Sequence, residues 1–201
     1  MVRQVIDFYF DFGSPNAYLV HKVLPDLARA KNAMVRYHPI LLGGVFKATN
    51  NQSPMTAFAD VKHKLAYQEH EMKRFVSRHH LTFHMNPYFP IMTLGIMRGA
   101  IYAQGKSWEA TYRNAVFDAM WVHGQKMDDP ATIQDVLNDA DLPTQDILEA
   151  TQDPAIKDAL VNATTTAVER GVFGAPFMFV GDEPFFGKNT LQDIEMNMKC
   201  Y

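Results

Sequence analysis

The sequence predicts an α/β fold. Its sheet is assembled from the two ends of the chain, with a long all-helical insertion between them. Three observations predict this. Residues 4–41 read strand, helix, strand. Residues 56–170 carry helical patterns only, and residues 177–199 read strand, strand, helix.

Residues 4–12 (QVIDFYFDF) alternate and are rich in β-branched and aromatic side chains, which is strand chemistry. Ser14 followed by Pro15 is a helix-start signal, and Tyr18, Leu19, Val23, Leu24 and Leu27 continue it at helical spacing over 15–31. Residues 33–41 (AMVRYHPIL) form a second strand, with Pro39 expected at a bulge or at its end. A strand–helix–strand opening predicts a parallel pair joined by a crossover helix. Gly43, Gly44 and the polar run Thr49–Pro54 read as a loop, long enough to gate a site. Helices are then expected over 56–80, 91–104, 108–122, 132–139, 144–150 and 154–170, separated by Pro, Gly or Asp-rich breaks. Gly171 is placed to end the last of these. Residues 177–180 (FMFV), a turn at 181–184 and Phe185–Phe186 make a hairpin, and Thr190–Lys199 a closing helix. The two ends together make a four-stranded mixed sheet in the βαβ…ββα order of a thioredoxin-like core. That core would occupy 1–50 and 171–201, and the helical insertion 51–170.

Composition narrows the function. With 201 residues, 47% hydrophobic and 20% charged, the chain can bury a full core without staples. A net charge of −3 gives no electrostatic footprint for nucleic acid or an anionic membrane. The single cysteine, Cys200, excludes an internal disulfide, a CxxC redox pair and a zinc cage. Asp7 and Asp11 interrupt the first apolar run, which argues against a signal peptide; with no membrane span either, a cytoplasmic location is the expectation. Three chance patterns are set aside. Asp11–Phe12–Gly13 lacks every other kinase element, Gly105–Lys106–Ser107 lacks the glycine that a phosphate loop needs at Ala100, and the His80, His84 pair lacks a third ligand. No metal is expected.

Two positions carry chemistry in such a core. Ser14 sits where the first strand meets the first helix. Unpaired N–H groups and the helix dipole favour negative charge there, and a hydroxyl can donate to an anion held at that point. The same residue reads equally as a plain helix cap. Ala175–Pro176 precedes the FMFV strand. A cis bond there would turn the Ala175 backbone toward a bound peptide, whereas a trans proline would simply start the strand.

Five segments add a resemblance: DFYFDFGSPNAYL at 7–19, the segment ending in Lys47, KLAYQEHEMKR at 64–74, NPYFP at 86–90 with Arg98, and VERGVFGAPFMFVGDEPFFG at 168–187. In this order the chain resembles the family of kappa-class glutathione transferases and 2-hydroxychromene-2-carboxylate isomerases. The resemblance implies glutathione as cofactor. Ser14 would hydrogen-bond its sulfur, Ala175 and Pro176 would clamp its cysteine, and Lys64 would lie near its carboxylate. Lys47 would meet a small aromatic carboxylate substrate, and Asn50, Asn51 and Tyr88 would lie on the substrate side. A homodimer is implied as well. One departure stands out: where the family carries Asp-Arg for the γ-glutamyl end, this chain has Asn189 and Thr190 after Lys188. Asn189 can accept a hydrogen bond but brings no charge.

Side chains near these positions also have structural readings. Lys64, Tyr67, Glu71 and Arg74 share one helix face, where Glu71 and Arg74 can pair at i, i+3. Phe185 and Phe186 read as core. Phe10, Phe46 and Tyr88 suit either an apolar pocket or the core. The implied activity is glutathione-dependent conversion of 2-hydroxychromene-2-carboxylate to trans-o-hydroxybenzylidenepyruvate in naphthalene-type aromatic catabolism. The alternatives are a kappa-class-like transferase conjugating small electrophiles and a non-catalytic thioredoxin-fold binding protein.

Overall fold

The computed structural model describes residues 3–198. Lys199, Cys200 and Tyr201 lie outside the described residues, and with Lys199 the last position of the expected closing helix. The sheet has four strands in the order β2-β1-β3-β4. β1 (Val5–Phe10) runs parallel to β2 (Met34–Pro39) and antiparallel to β3 (Phe177–Val180), which pairs antiparallel with β4 (Glu183–Phe186). Pro39 is the last residue of β2, where its missing N–H costs no ladder bond. The crossover between β1 and β2 is α1 (Pro15–Ala30).

Both faces of β1 are covered. Ile6, Phe8 and Phe10 point into the main core, which takes Tyr18, Leu19 and Leu24 from α1 and Phe117, Met120 and Trp121 from α6 (Glu109–Trp121). Tyr9 points the other way, into a smaller cluster with Val45, Ala167, Phe177 and Phe179. The main core draws on residues from both ends of the chain and from the insertion, so the two share one interior.

The insertion departs from the sequence reading at its start. The expected loop at 43–54 is largely helical: α2 spans Leu42–Thr49 and α3 spans Pro54–Ala57. The caps of α2 come from far away in sequence. Leu41 N–H donates to Thr164 Oγ1 (3.0 Å) and Leu42 N–H to Asp11 Oδ2 (2.8 Å). The single helix expected over 56–80 is broken. α3 stops at Ala57, and α4 (Lys64–Arg78) begins only after His63, whose φ is +66°. The remaining helices are α5 (Leu94–Ala103), α7 (Pro130–Asp139), α8 (Thr144–Ala150) and α9 (Pro154–Glu169). Gly171, at φ +108°, closes α9 as expected: its N–H reaches Val168 O, and that of Val172 reaches Ala167 O, both at 2.9 Å. After β4 a single 3-10 turn, Lys188–Thr190, leads into α10 (Leu191–Asn197).

α1 also carries a buried histidine. His21 is 5% exposed, with Nδ1 on Tyr37 Oη (3.1 Å), Nε2 on Asn114 Oδ1 (2.9 Å) and its ring stacked on Phe117. Burial, helped by Arg113 and Lys22, pushes its pKa down to about 3. An unfolded histidine titrates near 6.5, so the unfolded chain binds the extra proton first. The stability held by neutral His21 is complete above that value and lost as pH falls towards 3. Between pH 7 and pH 5 the loss is about 2 kcal/mol. Urea unfolding at the two pH values measures it. His21→Gln is expected to flatten this pH dependence, and equal slopes for wild type and variant would rule the assignment out.

Candidate active site

The β1–α1 turn is held from several sides before any ligand is considered. Phe12 N–H points to Met97 Sδ on α5 (3.4 Å), and Phe12 O accepts from Trp121 Nε1 on α6 (2.8 Å). Asp11 accepts from Gly13 N–H and from the Thr93 hydroxyl, each at 2.8 Å. The insertion therefore grips the turn that presents Ser14.

Ser14 caps α1. Its Oγ accepts from Ala17 N–H (3.1 Å) and donates to Ala175 O (3.0 Å), and the side chain is buried. The Ala175–Pro176 bond is cis, and the Ala175 carbonyl faces Ser14. The cap reading and the site reading of Ser14 are thus one geometry. Pro15 follows as the first helical residue, and the first turn of α1 holds no acidic side chain. No acid within that turn therefore offsets the positive end of the helix.

The other predicted residues fall into four groups. Asn51 joins the clamp directly: its Nδ2 donates to Phe173 O (2.9 Å), two residues before Ala175. Lys47 lies on α2, exposed and not in a loop, and Asn50 ends that helix in the left-handed conformation. Asn189 and Thr190 lie in the 3-10 turn, which packs on α1, and Thr190 Oγ1 donates to Gly187 O (2.8 Å). Lys64 and Tyr88 stand apart. Lys64 is exposed at the start of α4, with its Nζ 5.2 Å from the Phe58 ring centroid. Tyr88 is 53% exposed on a loop anchored by the buried Asn86. Among the described residues, neither hydrogen-bonds Ser14 or Ala175.

Three side chains differ from expectation. Glu71 does not pair with Arg74. It pairs with Lys188, which is 5% exposed, while Arg74 lies over the Tyr67 ring. Tertiary packing brings the 3-10 turn against α4 and supplies a closer partner than the helix itself. Removing that partner is expected to be costly: Glu71→Gln leaves a buried ammonium without its counter-charge, a loss of about 2 kcal/mol in denaturant unfolding. Lys188→Met, which removes the buried charge instead, is expected to cost less; the reverse order would show that the pair is not what holds the two elements together. Phe185 is core, but Phe186 is 46% exposed because β4 is an edge strand. Of the three aromatics with two readings, Phe10 is core, Phe46 half-buried and Tyr88 exposed.

Sequence reasoning missed Asp11 and Thr93 as partners of the turn, and Phe173. The one available signal was an acid at the end of an apolar strand, directly before the helix start.

A family model described as the DSBA-like thioredoxin domain matches residues 5–199. A 2-hydroxychromene-2-carboxylate isomerase of Sphingobium xenophagum is 30% identical over 194 residues, covering 96% of this chain and 97% of that one. A kappa-class glutathione S-transferase of Caenorhabditis elegans is 26% identical, covering 94% and 88%. A solved structure of a 2-hydroxychromene-2-carboxylate isomerase superposes with a TM-score of 0.85 at 29% identity, covering 96% and 94%. The four-stranded mixed sheet, its helical insertion and these matches together make the chain a member of the DSBA-like thioredoxin family, in the branch of the 2-hydroxychromene-2-carboxylate isomerases and kappa-class glutathione transferases.

Proposed function

We propose that the chain is a glutathione-dependent isomerase that converts 2-hydroxychromene-2-carboxylate to trans-o-hydroxybenzylidenepyruvate in naphthalene-type catabolism. The observation that carries this reading is the meeting of Ser14 Oγ with the carbonyl of the cis Ala175–Pro176 peptide at the start of α1. Relatives named as that isomerase, at about this chain's full length, support the isomerase class.

The residues present fit a small peptide thiol. A donor hydroxyl stands at a helix start whose first turn holds no acid, a cis-proline peptide faces it, and Lys64 is an exposed cation for a carboxylate end. The ammonium end would meet the neutral Asn189 amide, since the Glu71 carboxylate is committed to Lys188. A neutral hydrogen bond is worth about 0.5–1.5 kcal/mol against 1.5–3 for a charged one, so weaker glutathione binding than with an acid at 189 is expected.

Glutathione, when bound, supplies a thiol nucleophile that adds to a conjugated system and is released unchanged. The chain's own part is electrostatic. Ser14 turns its O–H from Ala175 O towards the anion, and the positive end of α1 lies at the same point. Lys47 presents a cation to the substrate carboxylate, and Asn51 fixes the end of its helix to the clamp loop. The kappa-class relative supports a second reading, conjugation of small electrophiles at the same thiol site.

Calorimetric titration with reduced glutathione, followed by the chromene assay, tests the proposal. Binding with proton release, then turnover without a conjugate, is the expected result. A stable conjugate would favour the transferase. No heat at millimolar glutathione would defeat both.

A further inference from the structure

Asp11 lies just past β1 as a carboxylate that is 1% exposed. Its oxygens are held from three directions at 2.8 Å: Oδ1 by Gly13 N–H and the Thr93 hydroxyl, Oδ2 by Leu42 N–H. Each donor stands at a helix start. Gly13 precedes the Ser14 cap of α1, Leu42 opens α2, and Thr93 is the cap residue of α5. The backbone takes part too, since Ser14 N–H donates to Asp11 O at 3.0 Å. Three helix starts thus meet around one buried carboxylate, and that of α2 gives it its own first N–H.

Among the described residues, no charged side chain hydrogen-bonds the Asp11 carboxylate. Burial pushes the Asp11 carboxyl up, and only the hydrogen bonds from Leu42, Gly13 and Thr93 oppose it. The charged or titratable groups nearest along the surrounding elements are engaged elsewhere or exposed. His21 and Lys22 on α1 bond Asn114 and Asp118, His38 on β2 bonds Asp7, Arg98 on α5 bonds Thr151 O, and Lys47 on α2 is exposed.

We propose that Asp11 is the positioning residue of the thiol site: its buried carboxylate ties three helix starts around Ser14 and sets how readily a thiol held there gives up its proton. This rests on the reading of Ser14 as a thiol site. The ionised carboxylate and a thiolate compete for the same helix ends, so the charge of Asp11 holds the thiol protonated to higher pH. A purely structural role has the opposite sign. Loosening the turn would weaken the helix end and make the thiol harder to ionise.

Ser14→Cys, made together with Cys200→Ser, places one thiol at the cap and needs no bound glutathione. Its ionisation is followed by thiolate absorbance against pH. Adding Asp11→Asn is expected to move the midpoint down by about one pH unit. A midpoint that rises or stays put with Asp11→Asn overturns the proposal. If Asp11→Asn does not fold, Asp11→Ser decides, because it keeps a short polar group in the turn and removes the charge: a lower midpoint supports the proposal, and a midpoint that rises or stays put overturns it. Calorimetry of the wild type with reduced glutathione runs beside this. Absence of binding there defeats the proposed function, while the thiol midpoints still judge Asp11.

Discussion

Ser14→Ala is expected to lower isomerase turnover roughly a hundred- to a thousandfold, the usual loss when one preorganised donor to a developing anion is removed. The same change removes the cap oxygen that accepts from Ala17 N–H, which is expected to cost about 1 kcal/mol of stability. The two effects separate cleanly. A cap loss of that size leaves the protein folded at 25 °C, so the drop in turnover reads the chemistry and not the fold. Proton release on glutathione binding is expected to fall in parallel, because the thiolate loses its hydroxyl partner. If Ser14→Ala turns over at the wild-type rate, the hydroxyl is a cap only, and the helix end alone carries the anion.

Gly99→Ala is expected to be the most damaging single-methyl change in the insertion. A Cβ on Gly99 would lie 2.0 Å from Tyr112 Oη and 2.7 Å from Tyr112 Cζ. That ring cannot step aside: it is 1% exposed, and its hydroxyl donates to Ile96 O at 2.8 Å. It also lies edge-on to Phe12, two residues before Ser14. Overpacking at such a point is expected to cost about 3 kcal/mol, which for a chain of this size lowers Tm by roughly 6–12 °C. Thermal unfolding measures it. Tyr112→Phe in the same chain removes the nearest atom but not the ring carbon, so partial recovery is expected. An unchanged Tm for Gly99→Ala would mean that α5 and α6 slide apart at little cost.

The sequence by itself determined the strands and their two-ended sheet, the helix start at Ser14–Pro15 and the helix stop at Gly171. All of these are local: alternation over a strand, a cap residue with proline behind it, a glycine at a left-handed position. The Ser14 and Ala175–Pro176 pair was legible as well, because the βαβ…ββα order puts the first helix start beside the strand that follows the insertion. What only the tertiary structure decided depends on partners distant in the chain. The segment from Gly43 reads as a loop because two glycines and no local cap argue against a helix. It folds as α2 because Asp11 and Thr164 supply the caps and Val45 finds a buried place beside Ala167. Glu71 chose Lys188 over Arg74 for the same reason, since a buried ion pair across two elements outweighs an exposed one along a helix. Asp11 is the clearest case. In the sequence it is an acid that spoils an apolar run; in the fold it is the point at which three helix starts meet, and no periodicity within a single segment can show a convergence of three.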